Sequence, residues 1–579
     1  MGNLTGDLGM KLLYKHIAKD FLAKKTMMVI LSLLLIFTSF LYFFVRFSVD
    51  KNLDVYGKMG RDALIENELK YLTALESNKV LIRNMTGAMI LIFVFVLFLF
   101  ISNIIKKNIV KIGQLQALGF MPGDYGRGCA FVLMALALPS TLIGFIAGFF
   151  ASSILIKANM MTYYVNGLVK GIHPSTFIKG TVLLTLLVGA VTYLACVAYR
   201  RQDPALLIKG ADISVGKPGI IERFIGVLRL RSGYRFKLTF RSLSEFLLLL
   251  AAIVTFNIMI VLSMSLLESS DKLMDSQMNG RSYRYETYYD DYQDVSAAED
   301  SGMAVLKFPV VIKNSKHTID YNIIGIDGGS SFFSLVDDQD SEIDITDKTG
   351  IILNPELAED YKISIGDKLT IMIDDKLAQL RVTDIAENAE LKSIYVSRQR
   401  LAGIMGINRS YCNCFYSDKF MKGGMSILRE DVIKELSANQ TSNKTSAVIN
   451  QCIGIATGIL LIFLAFFIGL SGNVSNILIF DLLGYDKKMI ESVLLNPYVI
   501  VGNFIYVLTL PISVYAARKI QISTSFATGD YMPFILNGLT LIYMWVVVNA
   551  IFIVVREVFV RRIGKVIHGE KQAEFLCEW

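Results

Sequence analysis

Apolar runs long enough to cross a hydrocarbon core of about 30 Å, roughly 20 residues each, recur at 27–48, 86–105, 129–156, 179–199, 246–268, 449–478, 490–517 and 533–555. The pattern predicts eight spans. Two sizeable hydrophilic segments interrupt them, at 49–85 and 269–448. The shorter, from Asp50 to Asn84, is nearly balanced in charge and reads as helical; it is too short for a core of its own. It either extends the first two spans or packs on the larger segment.

The longer segment has the composition of a soluble α+β domain. From Gly350 the text GIILNPELAEDYKISIGDKLTIMIDDKLAQLRVTDIAEN predicts a strand, then a short helix capped by Asn354 with Pro355 at its first position. A turn at Gly366 and Asp367 follows, then strands 369–373 and 377–385 joined at Asp374 and Asp375, and from Ser393 a further strand and helix. Upstream, a Tyr-rich patch of Tyr283, Tyr285, Tyr288, Tyr289 and Tyr292 runs into an acidic stretch of Asp290, Asp291, Asp294, Glu299 and Asp300. Such a cluster could receive a cation or a cationic peptide, but a solvated surface explains it more simply.

Between the second and third spans lies KKNIVKIGQLQALGF, Lys106 to Phe120. Ile105, Ile109, Ile112, Leu115 and Leu118 share one helical face, with Lys106, Lys107, Lys111 and Gln114 off it. Gly119 stops the helix and Pro122 keeps it stopped. Alone, this is a basic amphipathic helix beside the membrane. An echo in NVSNILIFDLLGYDKK, where Leu483, Gly484 and Tyr485 correspond to Leu118, Gly119 and Phe120, points to internal repetition. Each half reads as an amphipathic lead, a span, a hydrophilic segment and three further spans. The leads are YKHIAKDFLAKKT, ending at Thr26, and YRFKLTFRSLSEF, ending at Phe246.

Composition agrees with a membrane protein: of 579 residues, 53% are hydrophobic and only 19% charged. The net charge of +7 matters chiefly through its placement, because Lys and Arg concentrate on the cytoplasmic side. The segment from Arg200 to Arg241 is strongly basic, as is the tail with Arg556, Arg561, Arg562, Lys565 and Lys571. Both termini are thus expected in the cytoplasm and both hydrophilic segments outside. The charge needs no nucleic acid to explain it. No small-residue cleavage site follows the first run, so it reads as a retained span. The expected layout is a cytoplasmic lead 1–26, a first four-span repeat 27–199, a basic linker with the second lead 200–245, a fifth span 246–268, the outside domain 269–448, spans six to eight within 449–555, and a cytoplasmic tail 556–579.

No span carries a charged residue near its middle, which argues against an ion-coupled carrier. Asn496, Asn503, Asn537 and Asn549 suit helix-to-helix hydrogen bonds, and Gly144 with Gly148 forms a small-x-x-x-small pair for close packing. Cys412 and Cys414 read as free thiols or a minor clip, and the four histidines are not at metal-ligand spacing. No phosphate-binding loop, nucleophile elbow or H-E-x-x-H helix occurs. The chain is therefore not expected to be an enzyme or to bind a cofactor itself.

The segment KIGQLQALGFMPGDYGRG resembles the FtsX-like, MacB-type permeases of ABC transporters, in which a basic helix ends in an "LkalG" pattern before the third span. The outside text GIILNPELAEDYKISIGDKLTI resembles that family's extracytoplasmic domain. The resemblance implies a bacterial plasma-membrane protein and a separate ABC-type ATP-binding subunit, carrying ATP-Mg in two copies, that docks on cytoplasmic helices and moves the outside domain. By position it implies that Lys111, Ile112, Gly113, Leu115, Ala117, Leu118 and Gly119 form a coupling element, with Leu483, Gly484 and Tyr485 as its second copy. This chain departs from the pattern in lacking a basic run before Gly484 and in having a much smaller first outside segment.

The expected fold is an α-helical integral membrane protein of eight transmembrane helices in two four-helix repeats with one inserted α+β domain. The expected function is export or extraction of a hydrophobic or amphipathic substrate, such as an antimicrobial peptide, lipid, lipoprotein or toxic compound. A second permease, an outside protein, a sensor kinase and membrane lipid are further candidate partners. The rivals are transmission of ATPase motion to an outside enzyme or sensor without transport, and a receptor or scaffold with no ATPase.

Overall fold

A computed structural model describes residues 2–23, 25–59, 64–197, 243–298, 302–313, 318–346, 350–374, 376–528 and 531–567. The basic linker up to residue 242 and the tail from 568 lie outside the described residues. Among the described residues, seven helices are long and apolar enough to cross a membrane: Met28–Met59, Gly123–Met160, Pro174–Val197, Phe246–Met278, Arg429–Ser471, Lys487–Phe526 and Gly538–Gly564. The expected span 86–105 falls within a longer helix, Glu66–Lys107. Its described apolar run, Phe93–Ser102, is too short to be counted with the seven.

The chain divides into two units. One comprises Met1–Val261, Ile449–Ala517 and Asn537–Trp579; the other comprises Leu262–Val448 and Arg518–Leu536.

In the first unit, α1 (Gly2–Ala23) buries Leu13, Ile17 and Phe21, the one-sided pattern of an amphipathic helix. Tyr14 and Ile17 lie against Gly128 of α5 (Pro122–Tyr163). Helix α2 (Lys25–Met59) approaches α5 so closely at Gly144 and Gly148 that a Cβ there would meet backbone atoms of Ile36, Phe40 and Phe44. Phe43 meets Phe145 edge-on and Phe47 meets it at a tilt, with ring centroids 5.0 and 5.2 Å apart. The first hydrophilic segment extends α2 and the start of α3 (Glu66–Lys107), and it packs locally: Tyr56, Tyr71, Leu72 and Leu75 cluster with Val49 and Val165. In α14 (Asn496–Thr528) and α15 (Gly538–Ile567), Asn503 and Asn549 exchange side-chain hydrogen bonds of 2.9 and 3.1 Å, and the Trp545 indole donates to Asn503 at 2.9 Å. Polar pairing of this kind joins helices where the surroundings offer few other partners.

The second unit holds a nine-stranded sheet, β3-β7-β4-β6-β5-β2-β8-β1-β9, in which β2 also pairs with β3. Six strands therefore close into a barrel: β2 (Gly302–Lys313), β3 (Thr318–Ile326), β7 (Ser393–Ser397), β4 (Ile351–Leu353), β6 (Lys376–Ile385) and β5 (Lys368–Ile373). Closure leaves these strands without an edge, and Ile312, Ile351, Ile371, Ile394 and Val396 fill the interior. The early residues of β2 instead pair with β8 (Tyr411–Ser417), which leads to β1 (Tyr285–Asp294) and β9 (Met425–Leu428). Asn354 caps α9 (Pro355–Glu359) by accepting the Leu357 N–H at 3.3 Å. Gly366 takes φ +100° in its turn, a backbone state natural to glycine. Cys412 and Cys414 are buried free thiols. Burial pushes the Cys412 thiol up to about 12, which leaves it protonated and unreactive at neutral pH.

The unit also takes in Arg518–Leu536 because polar side chains tie that stretch down. Gln521 donates to the Pro533 carbonyl at 2.9 Å, and the Ile535 N–H donates to Ser265 at 3.1 Å. The Ser525 hydroxyl donates to Asp360 at 2.8 Å. Burial raises the Asp360 carboxyl to about 6 in spite of that hydrogen bond. A carboxyl raised in the folded state contributes stability below its unfolded pKa near 4 that is lost as pH rises through 6. Asp360→Asn is expected to raise the melting temperature at pH 8 but not at pH 4, with a gain of about 1 kcal/mol after allowance for partial exposure. Equal effects at both pH values would contradict this assignment.

Candidate functional site

The residues predicted to couple the chain to a partner lie in two helical elbows of the first unit. Lys106 to Phe120 is not one helix: α3 ends at Lys107, and Asn108, with φ −101° and ψ 14°, breaks the chain before α4 (Ile109–Ala117). The Asn108 N–H donates to the carbonyls of Ile104 and Ile105, both at 3.1 Å, while its own carbonyl accepts the Ile112 N–H at 3.0 Å. One residue thereby closes one helix and opens the next. Gly119 ends α4 with φ +92°. The Phe120 N–H reaches the Leu115 carbonyl at 3.1 Å and the Gly119 N–H reaches that of Gln116 at 3.0 Å, the paired bonds of a Schellman stop. The Asp124 carboxylate then accepts the Met121 N–H at 3.1 Å and starts α5.

The second elbow repeats this geometry. After α11 (Arg429–Gly472), Asn473 has φ −112° and ψ 9° and precedes α12 (Val474–Leu482). Its carbonyl accepts the Ile477 N–H at 3.0 Å. Gly484 has φ +80°, and the Tyr485 and Gly484 N–H groups reach the carbonyls of Phe480 and Asp481 at 3.0 and 2.9 Å. Asp486 precedes α13 (Lys487–Leu494) just as Met121 precedes α5. A residue with a side chain would be strained at Gly119 or Gly484 even though open space surrounds both.

Burial sorts the predicted residues into two groups. Ile112 and Gly113 are buried and Leu115 is partly so; these anchor α4. Ala117 and Gly119 are exposed, and Leu118 is 76% exposed. In the second elbow Leu483 is 67% and Tyr485 42% exposed, the Tyr485 ring resting edge-on against Phe480. Lys111 is exposed and makes a contact within the unit. Its Nζ lies 3.0 and 3.2 Å from the two oxygens of Asp20, so it ties α4 to α1 as an exposed ion pair worth little by itself. The side chains of Lys106 and Lys107 are outside the described residues.

Reading the sequence for apolar faces missed Asn108, Asn473, Met121 and Leu482, the last of which is 86% exposed. The signal was present: each Asn stands the same number of residues before its glycine. Chemically, both elbows offer an apolar turn on a fixed backbone, suited to insertion into a groove of another protein. Among the described residues, no group of three or more His, Cys, Asp or Glu is placed to hold a metal.

These features define a multi-pass helical membrane protein with paired elbows. Residues 85–204 match the family model described as FtsX-like permease C-terminal, a match consistent with an FtsX-like permease subunit. It takes in the first elbow and α5 through α7 (Leu184–Val197). That family points to the non-enzymatic permease subunit of an ABC transporter, whose ATPase is in general a separate partner. No curated protein matches the chain.

Proposed function

We propose that this chain couples a separate cytoplasmic ATPase, in two copies, to its sheet-bearing unit on the outer side of a bacterial plasma membrane, and so exports or extracts a hydrophobic or amphipathic substrate. The observation that carries this reading is the pair of elbows with the same Asn junction, the same glycine stop and exposed apolar tips at Leu118 and at Leu482 to Tyr485. An exposed leucine at a turn beside a membrane protein's polar boundary has no stabilising role of its own, whereas burial in a partner contributes about 1.5–3 kcal/mol. On this reading both termini are cytoplasmic and the partner's groove receives each elbow, with Ile112 and Gly113 transmitting its movement into the spans. The absence of charged side chains from the middle of the spans favours an apolar or amphipathic substrate over a small ion.

The test is purification from the native membrane. An ATP-binding subunit should accompany the wild-type chain, and Leu118→Asp with Leu483→Asp should reduce its retention at least about tenfold without lowering the melting temperature. A wild-type chain with no such subunit, or a double variant that holds it fully, would overturn the proposal. In lipid vesicles, stimulation of the ATPase by peptides or lipids supports transport; stimulation by an outside protein alone would favour mechanical transmission.

A further inference from the structure

The sheet-bearing unit contains a cavity of about 220 Å³ lined by Gln277, Tyr283, Glu286, Glu390, Arg429 and Leu436, among others. The two lining carboxylates share Lys307, whose Nζ lies 3.0 Å from Glu286 Oε1, 3.1 Å from Glu390 Oε2 and 2.8 Å from the Tyr288 hydroxyl. Tyr416 donates to Glu390 Oε1 at 3.3 Å, and Tyr288 donates to Glu286 Oε1 at 2.5 Å. Both oxygens of Glu390 are therefore engaged. Glu286 Oε2 accepts no hydrogen bond from the described residues, although its carboxylate lines the cavity.

Arg429 contributes the opposite charge. It follows β9, where Glu286 stands opposite Ile427, so Arg429 lies two residues along on the same face as Glu286. Its Nη2 donates to the Gln277 carbonyl and its guanidinium covers the Tyr283 ring, 5.3 Å from the centroid. Its Nε and Nη1 have no hydrogen-bond partner among the described residues, and no ion pair joins it to Glu286. An uncommitted carboxylate oxygen and an uncommitted guanidinium edge thus line one cavity. Burial would by itself raise the Glu390 carboxyl, but Lys307 and Arg281 hold it below the usual range, so the wall is charged at neutral pH. Perturbed charges around a cavity are a mark of a binding site.

We propose that this cavity binds a free α-amino acid, with the ligand ammonium on Glu286 and its carboxylate on Arg429. The two ends of such a zwitterion lie a few ångströms apart, suited to a carboxylate on β1 and a guanidinium at the first residue of α11, whose N–H is held by the Arg284 carbonyl at 2.9 Å. The site goes beyond the coupling function and does not depend on the elbows. It makes the sheet-bearing unit a receptor for a small solute.

Isothermal titration calorimetry on the purified full-length chain in detergent tests this, with glycine, L-alanine, L-leucine, L-lysine and L-glutamate as probes. At least one should bind saturably. Its decarboxylated amine and its N-acetyl derivative should each bind at least about tenfold more weakly, as should the Glu286→Gln and Arg429→Gln variants, because each removes one charge-assisted end. Leu436→Trp, which fills the cavity and leaves every charge in place, should abolish binding while the protein melts as the wild type does. It keeps the test valid should Arg429→Gln unfold. No heat from any amino acid, or binding unchanged in Glu286→Gln and Leu436→Trp, would overturn the assignment.

Discussion

Lys307→Met is expected to destabilise the sheet-bearing unit by about 3–5 kcal/mol at neutral pH, because it leaves two carboxylates in a largely buried cluster without their shared cation. Only 15% of the Lys307 side chain is accessible, against 12% for Glu286 and 21% for Glu390, so water replaces the lost ammonium only in part. The pH dependence should change sign. In the wild type, Glu390 is held below its ordinary range, and its contribution is present above the unfolded pKa and lost as pH falls through the folded value. In the variant, only Arg281 still opposes the burial that raises the Glu390 carboxyl, so acid should restore stability. Removing Glu286 and Glu390 together with Lys307, all to apolar residues, should recover much of the loss. Denaturant unfolding monitored in the sheet-bearing unit checks this. A variant that melts like the wild type at pH 7 would mean the cluster is solvated.

The second large effect is expected from Gly144→Val in α5. A Cβ at Gly144 would stand 2.7 Å from the Ile36 carbonyl oxygen and 2.8 Å from the Phe40 nitrogen, both backbone atoms of α2. Rotation of a side chain cannot relieve such a clash, so the helices must separate. Gly148, one turn on, has the Phe44 nitrogen at 2.9 Å and would lose its contact as well. The expected cost is about 3 kcal/mol or more, at the upper end for overpacking, since interhelical dispersion is lost along the seam. Gly57→Ala supplies the control. It lies in the same α2 with nothing within 4 Å of a built Cβ, and helix propensity predicts a gain of up to about 1 kcal/mol. Thermal unfolding of the two variants in one detergent should diverge; equal stability would show that α2 and α5 do not approach so closely.

Much of the candidate site is legible in the chain because its signals are local. Gly119 and Gly484 announce left-handed stops, and the leucines before them mark equivalent turns. The helix breaks at Asn108 and Asn473 were less visible, since periodicity alone continues the apolar face through Ile105, Ile109 and Ile112. Asn at a junction competes with the helix only weakly in sequence terms. The partner of Lys111 is equally invisible to periodicity, because Asp20 stands 91 residues earlier. The tyrosines before Asp290 read as a solvated patch, yet Tyr283 lines the charged cavity and Tyr288 accepts a hydrogen bond from Lys307. Alternation within one strand cannot reveal which residues of β2 and β8 it will face.

From its sequence alone this protein is bound to long apolar helices, paired glycine-stopped elbows and a domain of strands, because hydropathy, turn chemistry and helix capping act over a few residues. Only the tertiary structure decided that β2 closes a six-stranded barrel, that Gly144 lets two backbones touch, and that Glu286, Glu390 and Arg429 line one cavity with Lys307 bridging the two carboxylates. Those outcomes depend on strand register and on contacts between residues far apart in the chain, and the energies that select them appear only when the elements pack.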